Sequence, residues 1–247
     1  MTSNNDHVYD DCFFDRLTAE SLASAKVIVP LLLNLIPPRS VIDIGCGQGA
    51  WLKVFKEYGV EVTRGLDGPW VNPSKLLIDK DNFRPVDLSQ PFEVTGSYDI
   101  GICLEVAEHL PAKVSRPLIR TLTSAAPLVL FSAAVPGQGG THHINERWPS
   151  YWESLFADYG FRRLDPIRRH IWQDHRVQWW YRQNTFLFAS EKAISESPTL
   201  QEEAEYASKV QIEFLHKDIL NRPTSLSGLL REVPGATWRA IKHRIYR

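Results

Sequence analysis

Apolar residues recur at helical spacing over residues 18–36, at Leu22, Ala25, Val29, Leu32, Leu33 and Ile36, and Pro37 with Pro38 then ends the run. Ser40–Ile44 is a short apolar strand that ends in a glycine loop at 45–49, after which residues 50–58 return to helical periodicity with Gly59 as the stop. Residues 60–66 read as a second strand ending at Asp67, residues 83–86 as a third ending at Asp87, and residues 98–104 as a fourth. A helix is predicted over 112–124 despite Pro117, then a fifth strand at Leu128–Ser132, a helix over 149–159, and two last strands at Phe161–Leu164 and 184–189. Strands that alternate with helices predict an α/β fold: a seven-stranded, mostly parallel sheet with helices on both faces.

From Ser190 the pattern weakens. Residues 191–217 are charged with little periodicity and 221–228 are rich in Pro, Ser and Gly, so the chain divides into a domain over 1–190 and a helical C-terminal extension over 191–247. At 247 residues, 43% apolar and 23% charged, the sequence has ordinary globular proportions, and a net charge of −1 gives no global field for nucleic acid. Cys12, Cys46 and Cys103 form no CxxC pair, which argues against a disulfide framework or structural zinc and fits a reducing, cytoplasmic setting. The polar start lacks a signal-peptide pattern, and the longest apolar run, 27–36, is interrupted by Pro30 and Asn34 and reads as too short to span a bilayer.

The segment VIDIGCGQG at 41–49 places three glycines between a strand and a helix, where open α/β sheets hold ligands. Gly45, Gly47 and Ala50 also satisfy a dinucleotide fingerprint, with Asp67 at a suitable distance for a ribose. A carboxylate at Asp43 beside the loop suits an ammonium better than a pyrophosphate, and the acids at Asp67 and Asp87 sit at two further strand ends. Together these residues resemble the class I S-adenosylmethionine-dependent methyltransferases, a Rossmann-like family, over about residues 40–189. The resemblance implies that Gly45, Cys46 and Gly47 line the methionine part, Asp67 and Gly68 the ribose, and Asp87 with Leu88 the adenine. It further implies that Leu104, at the end of the fourth strand, borders the cofactor.

Directly after that strand come Glu105, Glu108 and His109 in an E-x-x-E-H pattern. Carboxylates with an imidazole suit Mg²⁺ or another divalent cation that binds an acceptor hydroxyl and lowers its pKa. The spacing resembles that of metal-dependent small-RNA 2′-O-methyltransferases and some quinone O-methyltransferases. The same pair also occurs in relatives without a metal, so both readings stand. A glycine-rich loop over 137–146 returns to this edge, and His143, rather than His142, is the expected fourth ligand. Without a metal, His109 or His143 would act as general base, with Glu108 beside them.

Trp148, Tyr151, Trp152, Trp172, Trp179, Trp180 and Tyr181 concentrate downstream, and flat aromatic faces suit carbohydrate as well as a plain core. The expected activity is O-methylation of a saccharide, a glycan or a related small acceptor. The alternatives are a phenolic, quinone or nitrogen acceptor, or a cofactor-binding module without turnover. The tail over 238–247 is basic and amphipathic, which admits peripheral membrane contact, a homodimer contact or a solvated helix; no long basic groove for nucleic acid is evident.

Overall fold

The computed structural model describes residues 11–213 together with 215 and 216. Seven strands form one sheet: β1 (Ser40–Ile44), β2 (Val62–Asp67), β3 (Phe83–Pro85), β4 (Ile100–Leu104), β5 (Leu128–Ser132), β6 (Phe161–Leu164) and β7 (Phe186–Ser190). Their order is β3-β2-β1-β4-β5-β7-β6. Pairings from β3 through β5 are parallel, and β7 runs antiparallel to both β5 and β6. Two reversals restore direction, so β6 points the same way as the first five strands.

The apolar strands feed two cores at once, because successive side chains point to opposite faces. Val41, Ile102, Leu130 and Leu187 face one core, and their neighbours Ile42, Cys103, Phe131 and Phe188 face the other. On the first face lie α1 (Asp11–Leu35) and α2 (Ala50–Glu57), the latter burying Trp51, Leu52, Val54 and Phe55. On the second lie α3 (Ser115–Ala125), which buries Leu118, Ile119 and Leu122 while Arg116 and Arg120 face out, and α4 (Pro149–Ala157).

Three features depart from the pattern in the sequence. Helix α1 begins at Asp11, earlier than the periodicity indicated, and its stretch Leu17–Leu35 is long and apolar enough to cross a membrane by length and composition. The apolar run that begins at Val27 occupies the second half of this helix. Ala25, Ile28, Val29 and Leu32 of α1 are fully buried in the first core.

Between β6 and β7 the chain forms two short helices that no clear periodicity announced, α5 (Arg168–Ile171) and α6 (Trp179–Asn184), so Asn184 ends a helix and does not open the last strand. They are tied by Arg168, which is 1% exposed, pairs with both oxygens of Asp165, donates to the Gln183 carbonyl at 3.1 Å and stacks 3.9 Å over the Phe186 ring.

After β7, α7 (Glu191–Glu196) and α8 (Pro198–Ser208) pack on the domain instead of standing apart. Ile194, Leu200 and Ala204 join the first core, and Arg163 donates to the Ala207 carbonyl at 2.8 Å. The predicted linker over 221–228 and the basic tail over 238–247 lie outside the described residues.

Candidate active site

The glycine loop leaves β1 at Gly45, whose φ of +90° and whose contact with Val106 exclude any side chain: an added Cβ would lie 2.3 Å from a Val106 methyl. The amides of Gly45 and Cys46 both donate to the Leu66 carbonyl, so the loop is stitched to the end of β2. There Asp67 accepts from Gly47 N at 2.7 Å and from Gly68 N at 2.6 Å. Asp43 lies just beneath, 2% exposed, with Oδ2 lacking any hydrogen-bond partner.

Burial, and then the charge of Asp67, push the Asp43 carboxyl well above the usual range, and burial raises Asp67 against the pull of its two amides. A pocket holding two under-compensated carboxyl groups favours a cationic guest and disfavours a pyrophosphate. Leu104 and Cys46 are buried close by, in the first core.

At the end of the third strand the acid makes a local bond of its own. Asp87 is exposed and its carboxylate accepts from the amide and hydroxyl of Ser89, which lowers its pKa. Leu88 is 3% exposed and packs in the second core. Asp87 thus closes its own turn and Leu88 fills the interior, because an Asp two residues before a Ser readily makes this local bond.

Past β4, the structure brings Glu108, His109 and His143 together: one ligand atom from each lies within 4.8 Å of the others. The two imidazoles meet edge to face at 4.8 Å between centroids. The run His143, Ile144, Asn145, Glu146 explains how a loop so far along the chain arrives there. The amides of Ile144 and Asn145 both donate to the Glu108 carbonyl, and the Asn145 side chain reaches Ala107 O and Ser115 Oγ. His142 takes a left-handed backbone with φ +59° and stays on the exposed side of this turn.

Glu108 is fully buried; Oε1 accepts from Ala134 N at 3.2 Å and Oε2 has no partner. Burial, and then the neighbouring Glu105, raise its carboxyl well above the usual range. His109 reaches solvent, yet the protein packed around it, followed by His143, lowers its pKa to about 4, so its imidazole is neutral near pH 7.

Glu105 lies beside Glu108 but outside the group of three. Its backbone is left-handed, at φ +55°, and its two oxygens accept from Asn184 Nδ2 at 3.0 Å and Gln138 Nε2 at 3.1 Å. Gln138 and Asn184 were missed as site residues. Asn184 stands at the end of a buried polar trio, Arg182, Gln183 and Asn184, immediately before an apolar strand, and that abrupt polar run was the available signal. Of the seven aromatics, Trp152 and Tyr181 are core residues, the former against Phe131 and the latter edge-on to Trp51, and only Trp148 is exposed.

A family model described as a methyltransferase domain matches residues 16–187. A ubiquinone biosynthesis O-methyltransferase from Rhodopseudomonas palustris (strain BisA53) is 29% identical over 153 residues, 58% of this chain and 54% of its own. The chain therefore spans about half the length of this curated relative. The structure of an O-methyltransferase family protein from Burkholderia thailandensis superposes with a TM-score of 0.55 at 16% identity, over 74% of this chain and 60% of that one. Magnesium protoporphyrin IX methyltransferase from Synechocystis PCC 6803, solved with bound SAH, gives 0.50 at 19%, over 74% and 88%.

At such identities the structural likeness speaks for the fold, which is that of a class I, S-adenosylmethionine-dependent methyltransferase. With 16–187 matched, the chain belongs to the methyltransferase-domain family.

Proposed function

We propose that the protein transfers the methyl group of S-adenosylmethionine to a hydroxyl of a small acceptor, with a divalent cation held by Glu108, His109 and His143. The observation that carries this reading is the convergence of those three ligand atoms within 4.8 Å, past β4 and beside Val106, which covers Gly45 of the cofactor loop. The donor set fits a cation on two counts. Glu108 Oε2 is buried without a partner, and His109 is neutral, so each offers a free lone pair. Two imidazoles and one carboxylate suit Mn²⁺, Fe²⁺, Co²⁺ or Zn²⁺ better than Mg²⁺, which prefers an all-oxygen shell.

In this reading the carboxyl groups of Asp43 and Asp67 compensate the positive charge of the methyl donor, Asp67 takes the ribose hydroxyls and Gly45 to Gly47 line the methionine part, with Cys46, Gly68 and Leu104 at the edges. Asp87, with one oxygen engaged by Ser89, and Leu88 border the adenine. A bound cation would supply Lewis acidity that favours loss of the acceptor proton. The residues themselves orient the acceptor oxygen for in-line attack, with Glu105 held in place by Gln138 and Asn184.

A saccharide acceptor would draw on the exposed Trp148 and on the half-buried Tyr151, Trp172, Trp179 and Trp180. The relative from ubiquinone biosynthesis favours a second reading, a phenol or quinone acceptor, on the same site. Incubation with labelled S-adenosylmethionine against panels of free sugars, nucleotide sugars and phenols distinguishes them. Turnover should fall on EDTA treatment and return more fully with Mn²⁺ than with Mg²⁺; EDTA-insensitive turnover would remove the cation from the proposal.

A further inference from the structure

The glycine-rich loop over 137–140 holds more than the histidine expected of it. Gly137 N donates to Glu146 Oε2 at 2.8 Å and Gly139 N to Glu146 Oε1 at 2.6 Å, so two loop amides fix the carboxylate of a residue that itself faces His143. His143 Nδ1 lies 3.1 Å from Glu146 Oε1. Gly140 leaves room for the ring itself, since an added Cβ there would fall 2.5 Å from His143 Nε2. Between these glycines Gln138 turns inward, 3% exposed, to Glu105 and Asn184. One short loop therefore sets both ends of the reactive edge.

The geometry points to Glu146 as a positioning residue that selects the tautomer of His143. An ionised carboxylate can only accept, and both of its oxygens already receive amide hydrogens, so the Nδ1 atom must carry the imidazole proton. Nε2 is then left as a bare lone pair, the one ring atom with which neutral His143 could serve the group it forms with Glu108 and His109. A free histidine side chain prefers the opposite tautomer, with the proton on Nε2, which could neither ligate a cation nor accept a proton at that atom. The Glu146 carboxylate reverses this preference, in the way that outer carboxylates orient metal-binding histidines elsewhere. The inference rests on the proposed role of His143, but the tautomer itself can be read without activity.

The test is long-range ¹H–¹⁵N correlation of the histidine rings in EDTA-treated protein, with His143 assigned by its loss in His143→Gln. The intact protein should show Nδ1 protonated and Nε2 of the bare, pyridine type. Glu146→Ala should move the proton largely to Nε2. Glu146→Gln, which keeps a carbonyl oxygen for the Nδ1 hydrogen, should retain the original pattern and controls for a folding defect in the alanine variant.

Mn²⁺ binding, followed by electron paramagnetic resonance, should weaken about 10- to 100-fold in Glu146→Ala and much less in Glu146→Gln. Protonation on Nε2 in the intact protein, or an unchanged tautomer in Glu146→Ala, would overturn the assignment. A switch of tautomer with no Mn²⁺ binding in any variant would uphold Glu146 and sink the cation.

Discussion

The two halves of the sheet edge are built by different means. Over β1 and β2 the residues that shape the pocket lie close in sequence to the strand that carries them: Gly45 and Gly47 follow β1, and Asp67 ends β2 and closes on the loop through Gly47 N. Past β4 the contacts are remote, with Glu105 meeting Gln138 and Asn184, and Glu108 meeting a loop much further along the chain through Ile144 and Asn145. The first half can be specified by one short motif. The second needs several long-range polar contacts to be in place at once, and buried polar networks are costly when only partly satisfied. A cofactor shared by a whole class and an acceptor particular to each member call for this division.

Breaking the scaffold of the second half should have the largest effect. Arg168→Ala leaves Asp165 buried without its cation and removes the bond to Gln183 O next to Asn184. Loss of one partner of a buried pair costs about 3–5 kcal/mol. Urea unfolding should show that loss in the midpoint, and a change under about 1 kcal/mol would mean that α5 and α6 are held by packing alone.

A crossed pair of substitutions then separates the halves. Asp67→Ala removes a carboxylate that binds two amides and is proposed to take the ribose, and a hydrogen bond to a charged group contributes about 1.5–3 kcal/mol, roughly a 10- to 100-fold loss in affinity. Calorimetry with S-adenosylmethionine should record that loss. Glu108→Ala should leave the same titration nearly unchanged and lower turnover at saturating cofactor by about 100-fold or more, the scale of a lost acid or base. Equal loss of cofactor affinity in both variants would show that the halves are one unit.

This contrast also explains how far the sequence could be read. Alternating strands and helices gave the seven-stranded sheet, and the glycine and acid positions at Asp43, Gly45, Gly47 and Asp67 fell where the loop needed them, because local rules govern each. Glu108, His109 and His143 were legible as residue types at suggestive spacing, although only the pinned loop shows how His143 arrives.

Glu105 lies beside them, and nothing in its spacing reveals its left-handed backbone or its two amide partners. Asp87 holds Ser89 through one carboxylate oxygen, a local bond that the Ser two residues on could have announced. The helices α5 and α6 escaped for another reason: α6 carries Arg182, Gln183 and Asn184 into the interior, so its buried face is largely polar and shows no apolar period.

The smallest expected effect concerns pH and tests whether the reactive half is strained in the absence of ligands. In the cation-free protein His109 has its pKa lowered from 6.5 to about 4, by the surrounding protein and then by His143. Above pH 6.5 the ring is neutral in both folded and unfolded chains and contributes no slope. Between pH 6.5 and 4 the unfolded chain binds a proton that the folded one resists, so stability falls as the pH drops, and below about 4 both are protonated and the contribution levels off.

The solvent that reaches His109 limits the size of this effect. Raised carboxyl groups at Asp43 and Glu108 act in the opposite direction, favouring the folded state as the pH falls, so the net curve is not diagnostic. The difference between the EDTA-treated protein and His109→Gln is diagnostic, because those groups are common to both. Unfolding midpoints measured from pH 7 to pH 4 should converge as the pH falls, with the glutamine variant losing less; parallel curves would show that the ring titrates freely and that the histidine pair carries no strain.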